Sequence, residues 1–231
     1  YAFSPDELVA IGLSLKVATA AALGSLPLGI AIAWLLARRR FPGKALLDAL
    51  VHLPLVLPPV VVGYTLLVVL GGNGPVGLWL ERTFGISVAF RWTGAALASA
   101  LMGFPLMVRT IRLSIENVDR RLEQAAATLG AGPWRVFLTI TLPLAWPGVV
   151  AGAVLAFAKA LGEFGATITF VSNIPGETQT LSAAIYGLLQ VPGGESAIWR
   201  LAAVALVISL GALLFSEWLV RRQRRDTQED A

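Results

Sequence analysis

Few side chains in this sequence could carry covalent or metal chemistry. The 231 residues include one histidine, His52, and no cysteine, so thiolate metal sites and disulfides are excluded. The carboxylates are scattered and form neither a metal cluster nor a nucleophile with its base. No Walker A glycine loop occurs, so any ATP-dependent work requires a separate chain. The sequence therefore argues against an enzyme and predicts no metal site.

Glu163 is the carboxylate whose position most needs an explanation. It follows a long apolar run, and a charged side chain in lipid is energetically costly. An ionisable residue at such a position is therefore a candidate functional residue. Lys159 lies four residues earlier on the same helical face, so a structural ion pair explains Glu163 equally simply. Hydroxyl and amide side chains follow, and they could either line an outer gate or cap and turn a loop. These are Thr167, Thr169, Ser172 and Asn173.

The elements that carry these residues are apolar runs long enough to cross a membrane. Hydrophobic residues make up 56% of the chain and charged residues 14%, and the mean hydropathy is +0.74. The runs are continuous rather than alternating, and in lipid the backbone must satisfy its own hydrogen bonds. We therefore predict an all-α integral membrane protein, a polytopic helical bundle with five spans. The runs cover residues 8–36, 45–70, 93–108, 144–161 and 201–219.

Two segments depart from simple spans. Residues 181–190 are too short to cross fully, which predicts a re-entrant or surface helix, with a sixth crossing as the disfavoured alternative. Pro54, Pro58 and Pro59 interrupt the second run, and a broken helix at membrane depth requires protein or a water-filled cavity around it. The break predicts either a kink that lines a pathway or a bend made for packing. Gly63 offers close helix contact or flexibility.

The basic residues predict the orientation. They fill the first loop, the third loop and the C-terminal tail, which we therefore place in the cytoplasm. Residues 162–199 contain no lysine or arginine and belong outside, as does the N-terminus. The second loop, with Arg82 and Arg91, is ambiguous. The net charge of +4 is explained by this topology rather than by nucleic acid. The cytoplasmic set comprises Arg38, Arg39, Arg40, Lys44, Arg109, Arg112, Arg120, Arg121, Arg135, Arg221, Arg222, Arg224 and Arg225.

The third loop, residues 116–143, has an unusually regular pattern. Asp119 is placed to cap a helix, and Leu122, Ala125, Ala126 and Leu129 then share one face of it. Gly130 and Gly132 end that helix and Pro133 starts a second, which Pro143 and Pro147 are expected to interrupt or kink. Such a segment predicts a docking surface for a partner. The alternative is an amphipathic hairpin resting on lipid headgroups, for which Trp134 and Arg135 are suited.

Motif resemblance favours the docking surface. The order Gln124-Ala125-Ala126, three residues, Gly130, then Phe137 and Leu142-Pro143 resembles the EAA loop of permeases in binding-protein-dependent ABC importers. In that family the first helix and the glycine turn sit in a cleft of a cytoplasmic ATPase. The sequence departs at Gln124, where the motif usually has glutamate, which weakens the case for a glutamate salt bridge. The resemblance predicts ATPase coupling by Glu123, Gln124, Ala125, Ala126, Leu129, Gly130, Ala131 and Gly132.

Two further segments, HLPLVLPPVVVGY from His52 and LGEFGATITFVSNIPGET from Leu161, closely resemble permeases of molybdate importers, with sulfate permeases as near relatives. The resemblance implies an ABC type I importer permease fold and alternating access driven by a separate ATPase. It implies import of molybdate, with tungstate as an expected second substrate. The alternatives are a sulfate or thiosulfate importer and an ion-coupled secondary oxyanion transporter. The tentative pathway or gate residues are Pro58, Pro59, Glu163, Thr167, Thr169, Ser172 and Asn173.

The same resemblance implies the assembly. Residues 1–231 would form one transmembrane permease domain with a coupling loop at 116–143 and a basic cytoplasmic tail at 220–231. The implied partners are a second copy, two ABC ATPase subunits, an extracytoplasmic molybdate-binding protein and membrane lipid, but no nucleic acid. This chain would hold no cofactor, because ATP and magnesium belong to the ATPase. The expected location is the cytoplasmic (inner) membrane of a bacterium or archaeon.

Overall fold

A computed structural model describes residues 3–229, so Asp230 and Ala231 of the predicted tail lie outside the described residues. The described chain is helical, as predicted. In order the helices are α1 (Pro5–Arg38), α2 (Lys44–Val56), α3 (Pro59–Leu70), α4 (Pro75–Phe84), α5 (Trp92–Glu116), α6 (Arg120–Thr128), α7 (Pro133–Val136), α8 (Leu142–Leu161), α9 (Gly165–Val171), α10 (Leu181–Leu189) and α11 (Glu195–Glu229).

The predicted membrane spans are confirmed as helices. Within residues 3–229, α1, α5, the continuous α7–α8 segment and α11 are long and apolar enough to cross a membrane. Helices α2 and α3 pass the same test only as a pair, which is bent by 112°. Counting that pair as one broken span gives five, and the break follows Pro54 and coincides with Pro58 and Pro59.

Helices α1, α5 and α8 form the centre of the bundle. Leu36, Met107, Ile111 and Val149 are completely or almost completely buried there. Glycine allows the backbones to approach, since a Cβ on Gly152 would lie 3.0 Å from the carbonyl oxygen of Met107. Small residues serve this purpose in membrane bundles, where association relies on van der Waals packing rather than on the exclusion of water.

The segment predicted as a short helix is α10. Its nine residues rise about 14 Å, roughly half of a hydrocarbon core, so it is too short to cross. The Ser14 hydroxyl of α1 accepts a hydrogen bond of 2.6 Å from the amide of Leu181, which attaches the start of α10 to the bundle. Leu181 and Leu201 are buried between α1, α10 and α11.

Of the interruption or kink expected at Pro143 and Pro147, the interruption is wrong. The chain stays helical from Pro133 to Leu161, and the disturbance is a π-helical turn at Phe137–Thr141, directly before Pro143. A proline has no backbone amide to donate, so one hydrogen bond of the helix is lost. A π-helical turn shifts the backbone hydrogen bonds from i, i+4 to i, i+5 pairs, and the helix can then continue past the proline. Pro147 lies inside α8 without ending it. The third loop therefore leads directly into a span.

Helix α3 packs closely on α9, and Gly63 is the point of approach. A Cβ at Gly63 would overlap the carbonyl oxygen of Ala166 and would lie 2.9 Å from the Cβ of Thr169. One turn earlier, a Cβ at Gly165 would lie 2.8 Å from the ring of Pro59. The close contact predicted for Gly63 is confirmed. Both sides of this contact start at a break in a span.

We predict that Gly63→Ala destabilises the protein because its methyl group has no space between α3 and α9. The expected loss is about 1–3 kcal/mol, the usual effect of overpacking, measured as a lower thermal midpoint of the detergent-purified protein. Gly12→Ala is the matched control, since nothing lies within 4 Å of a Cβ at Gly12 in α1. Equal midpoints for the two variants would contradict the packing described here.

Candidate functional site

The first group of predicted site residues lies on α6 and the turn after it. The Asp119 carboxylate accepts a hydrogen bond of 2.9 Å from the amide of Arg121, so Asp119 caps α6 as predicted. Gly130 has φ +86°, a left-handed conformation that favours glycine. Pro133 starts α7, also as predicted. No residue of α6 is buried, so this helix projects from the bundle.

The predicted coupling residues divide between two sides of α6. Ala125, Leu129, Gly130 and Gly132 are exposed, and the side chain of Leu129 is 88% exposed. The opposite side borders a cavity of about 400 Å³ between α6, α1 and α7. Glu123, Gln124 and Ala131 line that cavity, and Ala126 is half-buried. The outer side is therefore free to meet another protein.

Glu123 faces its own bundle. Its Oε1 accepts a hydrogen bond of 3.1 Å from Nε of Arg38 at the end of α1, and one of 2.6 Å from the Thr141 hydroxyl in the π-helical turn. The Arg38 guanidinium also donates to the carbonyl of Val118 at 3.0 Å. The side chains of Arg38 and Glu123 are only 8% and 17% exposed. We call Arg38, Glu123 and Thr141 the α6 anchor.

An aromatic contact supports the same joint. Trp34 of α1 stacks on Trp134 of α7 with ring centroids 6.1 Å apart, and Phe137 meets Trp34 edge-on at 5.6 Å. Arg39 lies over the Trp34 ring at 5.2 Å from its centroid. Each offset or edge-on ring pair adds on the order of 1 kcal/mol to the packing. Trp134 thus packs against α1, although 71% of the residue is exposed.

The second group lies where the helix ladder breaks between α8 and α9. Glu163 is 2% exposed, and its carboxylate accepts 2.7 Å from Nζ of Lys159 and 3.1 Å from the amide of Ala166. The predicted i, i+4 ion pair is confirmed. Because Glu163 also accepts a first-turn amide of α9, its charge satisfies a backbone donor freed by the break. Pro59 at the other break lies against Gly165, so the two breaks are adjacent.

The hydroxyl and amide residues after Glu163 bond mainly to backbone. Thr167 donates 2.9 Å to the carbonyl of Phe164, and Thr169 donates 2.7 Å to that of Gly165. Asn173 donates 3.4 Å to the carbonyl of Ala183, while its Oδ1 is buried without a partner among the described residues. Ser172 is exposed and has φ +66°. In this conformation the hydroxyls of Thr167 and Thr169 both donate to backbone carbonyls of the helix. The Ser172 hydroxyl is therefore more available than either of them to donate to a ligand.

Sequence reasoning missed two of the three anchor residues. The sequence indicates only a role in topology for Arg38, and it assigns no role to Thr141. Arg38 and Glu123 are 85 residues apart, so no local spacing connects them. The available signal was the position of Arg38 as the last residue of a span, where a side chain can meet the next cytoplasmic segment.

Solved structures share this fold. A bacterial ABC transporter involved in the import of alginate superposes with a TM-score of 0.71 and 21% identity over 95% of this chain and 80% of that chain. The MetNI methionine ABC transporter, in an inward-facing conformation, gives a TM-score of 0.71 and 14% identity over 92% and 94%. These matches establish the ABC importer permease fold.

Similar sequences are permease proteins of molybdenum and sulfate transport systems. The molybdenum transport system permease protein ModB of Escherichia coli K12 is 63% identical over 94% of this chain and 95% of its own length. ModB of Haemophilus influenzae is 60% identical over 95% and 96%. The sulfate transport system permease protein CysT of Escherichia coli K12 is 40% identical over 92% and 76%.

The family match covers most of the bundle. Residues 25–225 match the family described as binding-protein-dependent transport system inner membrane component, and this range contains the α6 anchor and both helix breaks. A component of such a system is a non-catalytic, multi-pass inner-membrane subunit that works with a binding protein and an ATPase. The chain belongs to the binding-protein-dependent transport system inner membrane component family.

Proposed function

We propose that this protein is the permease subunit of an ABC importer that carries molybdate across the cytoplasmic membrane. The observation that carries the proposal is the identity of 60–63% to two ModB proteins along 94–95% of the chain. The identity to the sulfate permease CysT is lower, at 40%. Tungstate is proposed as a second substrate because it is a tetrahedral dianion of nearly the same size as molybdate, whereas sulfate is smaller.

The proposed coupling surface is the outer side of α6 with the Gly130 turn. Ala125 and Leu129 are exposed there, and a helix with a small residue at its centre allows a partner to approach closely. The α6 anchor would carry movement of this surface into the bundle, because Arg38 ends α1 and Thr141 leads into α8. Glu123 is thus assigned a holding role rather than a contact with the ATPase. Gln124, Ala126, Ala131 and Gly132 remain proposed coupling residues around it.

The proposed pathway passes the two adjacent helix breaks. A path for a dianion needs hydrogen-bond donors and must not bind the ion too tightly to release it. Pro58 and Pro59 lie at one break, and Glu163 lies at the other. Because Glu163 is paired with Lys159, the junction of the two breaks carries little net charge. The Ser172 hydroxyl is the proposed donor at its outer edge. Thr167, Thr169 and Asn173 are proposed to shape the backbone there.

The proposed assembly contains two copies of this chain, two ATPase subunits that bind ATP and magnesium, and an extracytoplasmic molybdate-binding protein. Tyr64 on α3 is 61% exposed within a broken span, so this side of α3 is open to contact with a second copy. The basic clusters support an outer N-terminus, a cytoplasmic C-terminus and a cytoplasmic loop at 116–143. We propose one permease domain over residues 1–231, with the tail at 220–231.

Uptake by the complete transporter in proteoliposomes tests the substrate. With molybdate, tungstate and sulfate in equimolar competition, we expect molybdate and tungstate uptake to exceed sulfate uptake by at least about tenfold, a difference of about 1.4 kcal/mol. Omission of the binding protein is the control and should abolish selective uptake. Preferential sulfate uptake would refute the proposed substrate.

Ala125→Arg tests the coupling surface. A long charged side chain on the outer side of α6 should block a close contact, so the ATPase recovered with the permease should fall by roughly tenfold or more. Thr83→Arg adds the same charge on the exposed surface of α4 and should leave recovery unchanged. Full ATPase recovery with Ala125→Arg would remove α6 as the docking helix.

Glu123→Gln tests the α6 anchor. The amide keeps an acceptor for Thr141 but loses the charge that holds Arg38, and a hydrogen bond to a charged group contributes about 1.5–3 kcal/mol. We expect the ATPase to remain bound while molybdate imported per ATP hydrolysed declines. The charge exchange Arg38→Glu with Glu123→Arg should restore part of that ratio.

The matched control for the anchor is Glu217→Gln. Glu217 pairs with Arg221 at 2.9 Å, but the two side chains are 59% and 72% exposed, so this pair should contribute little. An unchanged import ratio in Glu123→Gln, or an equal decline in both variants, would show that the anchor does not transmit movement.

A further inference from the structure

A basic cavity of about 570 Å³ lies beside the α6 anchor. It is formed by the end of α1, the start of α2 and the junction of α5 with α6. Five of its lining residues carry positive charge and one carries negative charge: Arg38, Arg39, Arg40, Lys44, Arg120 and Glu116. Four of the five positive charges come from one short stretch, residues 38–44, and the fold adds Arg120 from the start of α6 to the same cavity. The cavity therefore concentrates more positive charge than the loop alone would.

The carboxylates near this cavity are already engaged. Glu123 holds Arg38, and Glu116 accepts 2.8 Å from Nε of Arg112, which lies outside the cavity. Among the described residues, Arg40 and Lys44 make no side-chain hydrogen bond or ion pair. Arg120 donates only to the carbonyl of Ala37, at 3.5 Å. The Arg39 guanidinium lies over the ring of Trp34. Within residues 3–229, four positive charges in the cavity therefore have no carboxylate partner: Arg39, Arg40, Lys44 and Arg120.

Helix α6 starts beside this cavity. Its first two residues are Arg120 and Arg121, at the end where the helix dipole is positive and where cations are unfavourable. The carboxylates at this end are engaged, since Asp119 caps the helix and Glu123 holds Arg38. An anion in the cavity would lie beside Arg120 and would offset both the clustered charges and the dipole. Arginine favours phosphate in particular because its planar fork donates two parallel hydrogen bonds.

The position of the cavity points to a lipid as the source of that phosphate. Arg38 is the last residue of span α1 and Lys44 is the first of α2, so the cavity lies at the level of the headgroups. Within the next two turns of α2, Leu46 and Leu50 are 65% and 56% exposed, which provides apolar surface for acyl chains. A soluble phosphate would gain nothing from that surface.

We propose that this basic cavity binds the phosphate group of an anionic phospholipid. Its bound headgroup would connect the α1–α2 loop to the first turn of α6. The leaflet follows from the orientation proposed above, whereas the binding chemistry does not depend on which anion is transported.

Native mass spectrometry of the intact transporter complex tests this site. The complex is released from micelles that contain equal amounts of phosphatidylglycerol and phosphatidylcholine, and we expect it to retain phosphatidylglycerol preferentially. Arg40→Gln with Lys44→Gln should weaken that retention by about 30-fold, because each basic residue near an anionic surface contributes about a fivefold change in affinity. Arg82→Gln with Arg91→Gln removes two exposed charges elsewhere and should retain the lipid.

Competition with inorganic phosphate and the lipid preference of the wild-type complex complete the test. Millimolar inorganic phosphate should not displace the lipid, and displacement would assign the cavity to soluble phosphate and overturn the proposal. No preference for phosphatidylglycerol in the wild-type complex, or equal losses in both double variants, would also overturn it. The wild-type measurements decide the question even if the cavity variant fails to assemble. Because no transport is measured, a failure of the proposed molybdate import would not alter these outcomes.

Discussion

A peptide group in the hydrocarbon of a bilayer has no water to bond with, and this constraint governs the whole arrangement. It makes the long apolar segments helical, and it makes each interruption a position that needs other partners. At one break the carbonyl of Pro58 accepts the amides of Val61 and Val62. At the other, the buried carboxylate of Glu163 accepts the amide of Ala166. The chain itself thus supplies a partner for a backbone group at the Glu163 break, and at the other break α3 starts its own ladder on Pro58.

The adjacency of the two breaks follows from packing. Gly63 and Gly165 each lack the atom that would collide with the opposite segment, so α3 and α9 approach backbone to backbone. A helix that starts at such a break has terminal backbone groups without partners inside the helix, and it contains fewer backbone hydrogen bonds than an unbroken span. This junction is where we propose the path, whereas α1, α5 and α8 form the continuous support of the bundle.

The α6 anchor joins that support to the projecting helix. Its ion pair is largely removed from water, so Arg38 and Glu123 each depend on the other for charge compensation. Thr141 adds the π-helical turn to the same carboxylate, and Trp34 packs on the residues of α7 and that turn. As a result α6 can expose its outer side while its inner side remains fixed to two spans. The basic cavity lies at the edge of this joint and shares Arg38 with it.

Local sequence was sufficient to predict the helical class, the spans, the position of the proline break and the capped α6, since each depends on residues near one another in the chain. Asp119, Gly130 and Pro133 have the predicted local roles, and Lys159 pairs with Glu163 at helical spacing. The π-helical turn at Phe137–Thr141 has no distinct signal in the sequence, which predicts only an interruption or a kink at the prolines that follow.

The contacts between side chains across the bundle could not be predicted from the sequence, because they depend on how the helices pack together. Arg38 and Glu123 are brought together by the packing of α1 against the α5–α6 region, and Pro59 and Gly165 by the close approach of α3 and α9. Sequence periodicity places a side chain on one face of its own helix. Which residues of another helix lie against that face depends on the packing of all the helices. The same packing turned Glu123 inward and left Ala125 exposed, although both lie in one short motif.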